Sequence, residues 1–342
     1  MTTATTTVVG APDPADRGDA PRPLAKGGDP ADRIFRGSAR GAGALVLLIM
    51  TLVGVFLGGR ALEALRDAGP AFLTTSAWEP DSHHFGIAAV LPGTVLIGAV
   101  AIVFAVPLAA GTALYITEYA PRRIKQTLIS LVDLMAAVPS VVYGLWGLFF
   151  FQPSVVGLSR WLTTYFGWFP LFAADGDNPR DPLSPNTFYT SSTFIAGMVV
   201  ALMVTPIACS VMREAFAQAP PGEREGAFAL GATQWGVIRS VVLPFGRGGI
   251  IGGTMLGLGR ALGETIAVYL IISPVFVFQP HILQNGANSV SALIALRYGS
   301  ASEFGMSALM AAGLALFLMT LVVNFIASSV VARSRSGAGA EA

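Results

Sequence analysis

The segment EGAFALGATQWGVIRSVVLP, residues 225–244, is polar and rich in alanine and glycine, and long apolar stretches lie on both sides of it. The Pro-Pro-Gly run at residues 220–222 breaks the preceding helix. Good helix formers at residues 223–232, with Gly231 near their C-terminal end, predict a short helix and a turn. A second helical run to Pro244 should follow. A chain that is apolar almost everywhere else presents such a loop to water either as a connector or as a docking surface.

The composition of the chain indicates an all-α, polytopic membrane protein. Of its 342 residues, 53% are hydrophobic and 12% are charged, whereas about 25% of the residues of a soluble domain are charged. The mean hydropathy is +0.64. A single cysteine, Cys209, lies in an apolar stretch, so the chain forms no intrachain disulfide. We expect Cys209 to be a small, packed side chain.

Six stretches are long and apolar enough to cross a bilayer as helices, which takes about 20 residues each. Prolines fall inside or near the ends of several of these stretches and are candidates for helix kinks. They are Pro107, Pro139, Pro206 and Pro274. The predicted spans are residues 42–62, 88–116, 127–151, 194–212, 249–275 and 304–331.

The positions of Lys and Arg set the expected orientation. If the N-terminus is inside the cell, most of these residues lie on the inner side, as the positive-inside rule requires. Both termini and the loop at 225–244 are then cytoplasmic. The predicted organisation is a disordered cytoplasmic tail (1–32), a first membrane helix with an outer loop (33–87), a core (88–335) that includes a cytoplasmic loop at 214–247, and a C-terminal tail (336–342).

Two ionisable residues, Arg260 and Glu264, fall deep in the fifth predicted span. They are four residues apart, so a continuous helix places them on one face, where they can pair. An arginine near the bilayer centre costs about 3 kcal/mol and should therefore face protein or water. One interpretation is a buried ion pair that only orders the helices. The functional interpretation, which we favour, is that the planar guanidinium of Arg260 meets a tetrahedral oxyanion during its passage, while Glu264 holds the guanidinium in place.

Other polar residues are weaker candidates. Ser140 and Tyr143, beside Pro139, and Thr265, beside Glu264, offer hydroxyls that can line a polar path, although such groups in membrane helices usually bond to their own backbone. We expect Asp133 to pair with Arg122, Arg123 or Lys125. His83 and His84 are adjacent, but two histidines without further ligands do not predict a metal site.

The loop segment resembles the coupling-loop signature of ABC-importer permeases, E-A-A-x3-G-x9-I-x-L-P. The chain departs from it at Gly226, where alanine is usual, and at Val241, where isoleucine is usual. In that family the loop seats in a cleft of the cytoplasmic ATPase and carries its motion into the membrane. The positions that match the signature, and that the resemblance assigns to ATPase coupling, are Glu225, Ala227, Gly231, Leu243 and Pro244.

Three segments make the resemblance more specific: VPSVVYGLWG, LGATQWGVIRSVVLP and, above all, GGTMLGLGRALGETIAV. From about residue 88 onward the chain resembles phosphate-specific ABC importer permeases of PstC type. The resemblance implies the type I ABC importer permease (MetI-like) fold with six transmembrane helices, in a bacterial inner (plasma) membrane. It also implies a role for Arg260 and Glu264 in phosphate passage.

The partners implied by the resemblance are a homologous permease of PstA type, a PstB-type ATPase dimer, a PstS-type phosphate-binding protein, inorganic phosphate and membrane lipid. We expect no nucleic-acid partner. The chain has no G-x4-G-K-[ST] sequence and no hydrolase or metalloprotease motif. We therefore expect a transporter subunit rather than an enzyme, with no cofactor of its own and with ATP and Mg²⁺ bound by the ATPase.

Two other functions stay open at the level of sequence. In the first, Arg260 and Glu264 form the gate of an ion-coupled secondary anion transporter, although the inverted repeat common in that class is not evident. In the second, the chain is a membrane scaffold or sensor whose loop reports binding without transport.

Overall fold

The computed structural model describes residues 30–335 except 175, 177, 182 and 183. The predicted tails therefore lie outside the described residues, apart from residues 30–32 of the first, where helix α1 already begins. The α-helices are α1 (Pro30–Ala68), α2 (Val90–Leu114), α3 (Arg122–Ala136), α4 (Ser140–Trp146), α5 (Gln152–Phe166), α6 (Thr193–Ala217), α7 (Pro221–Ala229), α8 (Gln234–Val237), α9 (Leu243–Leu262), α10 (Ile266–Ile271), α11 (Val290–Arg297) and α12 (Glu303–Arg335).

Shorter elements join these helices. Three π-helical turns extend α2 or bridge consecutive helices: Tyr115–Tyr119, Gly147–Phe151 and Ile238–Val242. Strands β1 (Trp78–Glu79) and β2 (His84–Phe85) form an antiparallel hairpin in which Trp78 faces Phe85. Single 3-10 turns lie at Gly69–Leu73, Pro80–Ser82, Pro170–Phe172, Asn186–Tyr189 and Tyr298–Ser300.

Six helical segments of the described residues are long and apolar enough to cross a membrane, which confirms the predicted number. Three of them, the second, fourth and sixth, agree with the predicted spans to within five residues at each end, whereas the first contains its predicted span but is longer at both ends. The third and fifth differ. The segments are Arg33–Leu73, Val90–Tyr119, Ser140–Phe166, Thr193–Ala217, Gln234–Leu262 and Glu303–Ile326.

The third predicted span, residues 127–151, was wrong because Pro139 breaks the helix instead of kinking it. Helix α3 ends at Ala136, and Pro139 adopts an extended conformation with ψ at 141°. Proline lacks a backbone N–H and disfavours helical geometry in the residue before it. The membrane segment therefore starts at Ser140 and runs through the π turn to Phe166, while α3 is a separate helix that packs on α6.

The fifth predicted span, residues 249–275, was also misplaced. The helix starts earlier, at Gln234, and continues through the π turn and Pro244 to Leu262. It then stops at Gly263, and Glu264 and Thr265 form a short break before α10. Gly263 has left helical geometry, with φ at −93° and ψ at 0°, and glycine's low helix propensity favours an end there.

The core is a close packing of α2 and α6, with α9 against both. A seam of alanines four residues apart runs along α2, and each of them is fully buried. Such small side chains let membrane helices approach closely and gain van der Waals contact. A Cβ added at Gly197 of α6 would lie 2.6 Å from the Cβ of Val100. The seam consists of Ala101, Ala105, Ala109 and Ala113.

The hairpin caps one end of the bundle, here called the hairpin end. Its Phe85 makes edge-on ring contacts with Phe72, Trp78 and Phe304, so the hairpin is fixed to the start of α12. From Gly54 onward the chain forms one compact unit. Residues 30–53, the N-terminal portion of α1, belong to a separate unit, and their described side chains are exposed.

Candidate coupling loop and substrate pathway

The loop at 225–244 folds as a helix, a turn and a second helix, as predicted. Helix α7 begins at Pro221, two residues before the predicted start, and proline suits the first helical turn because no intrahelical N–H bond is lost there. Gly231 has a φ of +84°, the left-handed conformation that ends helices. The Thr233 hydroxyl then caps α8 by accepting a hydrogen bond from the N–H of Gly236 at 3.2 Å.

The surface of α7 and the turn after it is exposed and partly apolar. Glu225 is exposed, as are the side chains of Phe228 (47%), Leu230 (91%) and Trp235 (57%). We call these four residues the loop surface. A cluster of exposed large apolar side chains on a polar loop is typical of a protein contact site. Of the other predicted coupling residues, Ala227 and Leu243 are half-buried, and Pro244 is exposed in the first turn of α9.

An ion pair that the sequence interpretation missed fixes this loop to the bundle. The Arg224 Nη1 atom lies 3.2 Å from Oε1 of Glu118, and its Nη2 donates to the Phe216 carbonyl at 2.6 Å. The amide of Gln234 donates to the backbone carbonyl of Glu118 at 3.2 Å. Arg224 and Glu118 are 106 residues apart, so the spacing in a single sequence does not indicate that they pair. We call the end of the bundle that holds this pair the loop end.

Arg260 lies in the last turn of α9 and is exposed in this chain. It lines a groove of about 460 Å³ together with Ile207 of α6 and Asn324 of α12. A second groove, of about 540 Å³, lies between α6 and α9 nearer the loop end, and Ser210, Glu214, Gln218 and Gly249 are among its lining residues. Both grooves therefore follow the same pair of helices.

The expected pairing of Arg260 with Glu264 is wrong. Among the described residues no ion pair joins them, because the helix ends at Leu262 and Glu264 leaves the face that a continuous helix would give it. Glu264 is instead buried, at 9% exposure, and its Oε1 accepts a hydrogen bond from the N–H of Ala267 at 3.2 Å. The carboxylate thus caps the start of α10, where it also meets the positive end of the helix dipole.

The hydroxyl candidates lie around the same break. Tyr143 donates to the Met135 carbonyl at 3.0 Å, across the turn at Pro139. Thr265 donates to the Gly263 carbonyl at 3.3 Å. Ser140 is half-buried in the first turn of α4, the helix that packs on α10.

A buried polar network at the break was also missed. The Ser291 hydroxyl donates to the Glu264 carbonyl at 2.7 Å, and the Thr94 hydroxyl accepts a hydrogen bond from the N–H of Val290 at 3.0 Å. The Ser289 hydroxyl caps α11 through the N–H of Ala292. Helix α11 has eight residues, too few to stand out as a membrane span. Asn288 and Ser289, two buried polar residues just before α11, were the available signal.

The structure also tests two minor expectations, one about Asp133 and one about His83 and His84. Asp133 is exposed, and no ion pair within the described residues links it to Arg122, Arg123 or Lys125, so that expectation is wrong. The Nδ1 atom of His83 lies 2.9 Å from Oδ2 of Asp67. In the described part of the chain no three His, Cys, Asp or Glu side chains group as metal ligands.

Comparisons with known proteins give consistent matches. The family model described as binding-protein-dependent transport system inner membrane component matches residues 101–336. The chain is 36% identical over 323 residues to the phosphate transport system permease protein PstC 2 of Mycobacterium tuberculosis, covering 92% of this chain and 95% of that one. It is 37% identical over 290 residues to the phosphate transport system permease protein PstC of Xylella fastidiosa, covering 84% and 86%.

A solved structure shows the same fold. The crystal structure of a bacterial ABC transporter involved in the import of the acidic polysaccharide alginate aligns with a TM-score of 0.51 at 16% identity, covering 88% of this chain and 99% of that one. The expected all-α permease fold is thereby confirmed.

Proposed function

Because the chain belongs to the family of binding-protein-dependent transport system inner membrane components, and within it to the phosphate ABC transporter permeases of PstC type, we propose that it couples ATP hydrolysis by a separate ATPase to phosphate import. The observation that carries the proposal is the loop surface. Phe228 of α7, Leu230 in the turn and Trp235 of α8 are exposed on one loop, which the partly buried Glu118–Arg224 ion pair holds on the bundle. An exposed apolar surface that is also attached to the bundle suits a site where the ATPase docks and moves the permease.

The proposed assembly contains a homologous permease of PstA type, a PstB-type ATPase dimer and a PstS-type phosphate-binding protein. The permease pair encloses the pathway, surrounded by membrane lipid. ATP and Mg²⁺ bind to the ATPase and not to this chain. The loop end is cytoplasmic in this proposal, as are both termini, because Arg224, Arg239 and Arg247 lie there and cytoplasmic loops are enriched in arginine and lysine.

We place the phosphate path along the groove that contains Arg260. Its guanidinium presents a planar set of donors that matches two oxygens of phosphate, and among the described residues no ion pair occupies it. Tyr143, Ser140 and Thr265 lie on elements around the same break and supply hydroxyls. Glu264 acts on the path by fixing α10, rather than by holding the guanidinium.

The proposed cycle is alternating access. Closure of the ATPase dimer on ATP pushes the loop surface, and the bundle opens toward the binding protein, which delivers phosphate. Phosphate passes near Arg260 and leaves between α6 and α9 when the ATPase resets. The groove lined by Ser210, Glu214 and Gln218 supports an exit on that side.

The test is the substitution Arg260→Gln in proteoliposomes that contain the complete importer. Phosphate uptake should fall by about 30-fold or more, since removing one partner of a desolvated charge contact costs about 2 kcal/mol or more. Arg260→Lys keeps the positive charge but loses the planar guanidinium that can bind two phosphate oxygens at once. Its phosphate uptake should therefore lie between that of the native protein and that of Arg260→Gln.

Arg123→Gln is the matched control, because Arg123 is exposed and has no ion pair within the described residues. It should import at the native rate. Uptake by Arg260→Gln near the native rate, in a complex that assembles normally, would reject Arg260 as a pathway residue.

A further inference from the structure

We propose that the ion pair between Glu118 and Arg224 is a mechanical strut that makes α7 and the loop end of α2 move as one body, so that a displacement of the loop reaches the interior of the bundle. Both residues would be positioning residues, since neither lies near Arg260 along the chain or in its groove. The inference rests on the proposed function and adds the route by which the motor's motion enters the membrane.

The pair joins α7 to the end of α2 at a partly buried site. The Glu118 side chain is 4% exposed and that of Arg224 is 23% exposed, and Nη1 of Arg224 lies 3.2 Å from Oε1 and 3.4 Å from Oε2 of Glu118. The hydrogen bond from Nη1 reaches Oε2 only, and Oε1 accepts none from the described residues, so the attraction between the two side chains is mainly electrostatic and acts at a site where Glu118 is almost fully buried. Because loss of one partner leaves the other charge buried and unpaired, separating the pair is costly. The loop and α2 should therefore resist being pulled apart.

The pair joins three elements at one point. Glu118 lies in the π turn that extends α2, Arg224 lies in α7, and Phe216, whose carbonyl accepts from Arg224, is in the last turn of α6. The Gln234 amide adds a bond from α8 to the Glu118 carbonyl. Both sides of the loop are thus tied to the same residue at the end of α2.

Few other contacts are available to carry a force from α7. None of its residues is buried, and its principal contacts are with α8 and the π turn at Ile238–Val242, which belong to the loop itself or to the start of α9. The partly buried ion pair, whose Glu118 side is almost fully buried, therefore supplies an attachment that packing does not.

Helix α2 continues from the strut to the break beside Glu264. Its Thr94 accepts the hydrogen bond from Val290, and a Cβ added at Gly93 would lie 2.1 Å from the Asn288 carbonyl oxygen, so the chain before α11 sits directly on α2. Ser291 of α11 in turn bonds to the Glu264 carbonyl. A shift of α2 along its axis therefore acts on the polar network that shapes the break.

The functional test uses Glu118→Gln, Arg224→Met and the double variant in the complete importer in proteoliposomes. Phosphate imported per ATP hydrolysed should fall about fivefold or more in each single variant, a size typical of substitutions that weaken the coupling between two sites. The double variant should be no worse than the worse single variant, because both changes remove the same interaction. Arg123→Met removes an exposed cation and should leave the ratio at the native value.

A second measurement leaves the ion pair intact, so it can be made even if the substituted complexes fail to assemble. Spin labels at Tyr119 and Glu223, both exposed, report the distance across the strut in a chain whose Glu118 and Arg224 are native. That distance should stay constant between the nucleotide-free and ATP-trapped complexes, whereas the distance from position 223 to a label at Leu73, at the hairpin end, should change.

Either of two results overturns the strut. One is an unchanged ratio of phosphate to ATP in assembled Glu118→Gln and Arg224→Met complexes, even if their thermal stability falls. The other is a label distance from 119 to 223 that changes as much as that from 223 to 73. If the native importer hydrolyses ATP but imports no phosphate, the proposed function fails instead, and the label distances still decide whether the loop and α2 move together.

Discussion

Glu264 shows how a buried charge can be read wrongly from spacing alone. The four-residue interval to Arg260 implies a shared helix face only if the helix continues, and Gly263 ends it. The carboxylate then has a local partner, the N–H of Ala267, and Arg260 keeps its exposed position beside Asn324. Sequence therefore identified both residues but assigned them the wrong relation, because their spacing gave no position for the break.

The cap at Glu264 predicts a difference between two substitutions. Glu264→Ala leaves the buried Ala267 N–H without its acceptor and should destabilise the chain by about 1–2 kcal/mol. Glu264→Gln keeps an acceptor oxygen in the same place, so most of that stability should be retained. The thermal midpoint of the purified protein in detergent measures both. If glutamine lowers the midpoint as much as alanine does, the negative charge and not the cap stabilises this site.

The elements were predictable where local signals were strong. The Pro-Pro-Gly run and Gly231 predicted the loop, and apolar length predicted six spans, as found among the described residues. The break at Pro139, the hairpin and α11 were not found, since each is short or depends on contacts between distant residues. The Glu118–Arg224 pair belongs to the same class: its members are unremarkable in sequence and acquire a role only when α2 and α7 meet.

The loop surface makes a prediction at the scale of this element. Leu230 is 91% exposed, so Leu230→Asp should leave the fold intact but place a charge in the proposed ATPase contact. Recovery of the ATPase with the affinity-purified permease should fall about tenfold or more, equivalent to about 1.4 kcal/mol of binding free energy.

Leu73→Asp is the matched control for this change. Leu73 is also an exposed leucine, at 63%, but it lies at the hairpin end. Its complex should retain the ATPase at the native level. Equal recovery from the Leu230→Asp and Leu73→Asp variants would remove α7 from the ATPase contact.

At the scale of the whole molecule, the described structure has two distinct ends and one interrupted helix between them. The loop end carries an exposed helix on a buried ion pair, the hairpin end carries an aromatic cluster, and Arg260 lies in a groove beside the break in the fifth span. This arrangement fits a device that receives a displacement at one end and changes access to a polar site within the membrane. An ion-coupled anion transporter would use the same arginine without any motor at the loop.

The most direct test compares phosphate uptake by proteoliposomes containing the complete importer with a hydrolytically active or a hydrolytically inactive ATPase, each with and without an imposed ion gradient. The account predicts uptake only with the active ATPase and ATP, whatever the gradient. Uptake that persists with the inactive ATPase and follows the ion gradient would contradict it.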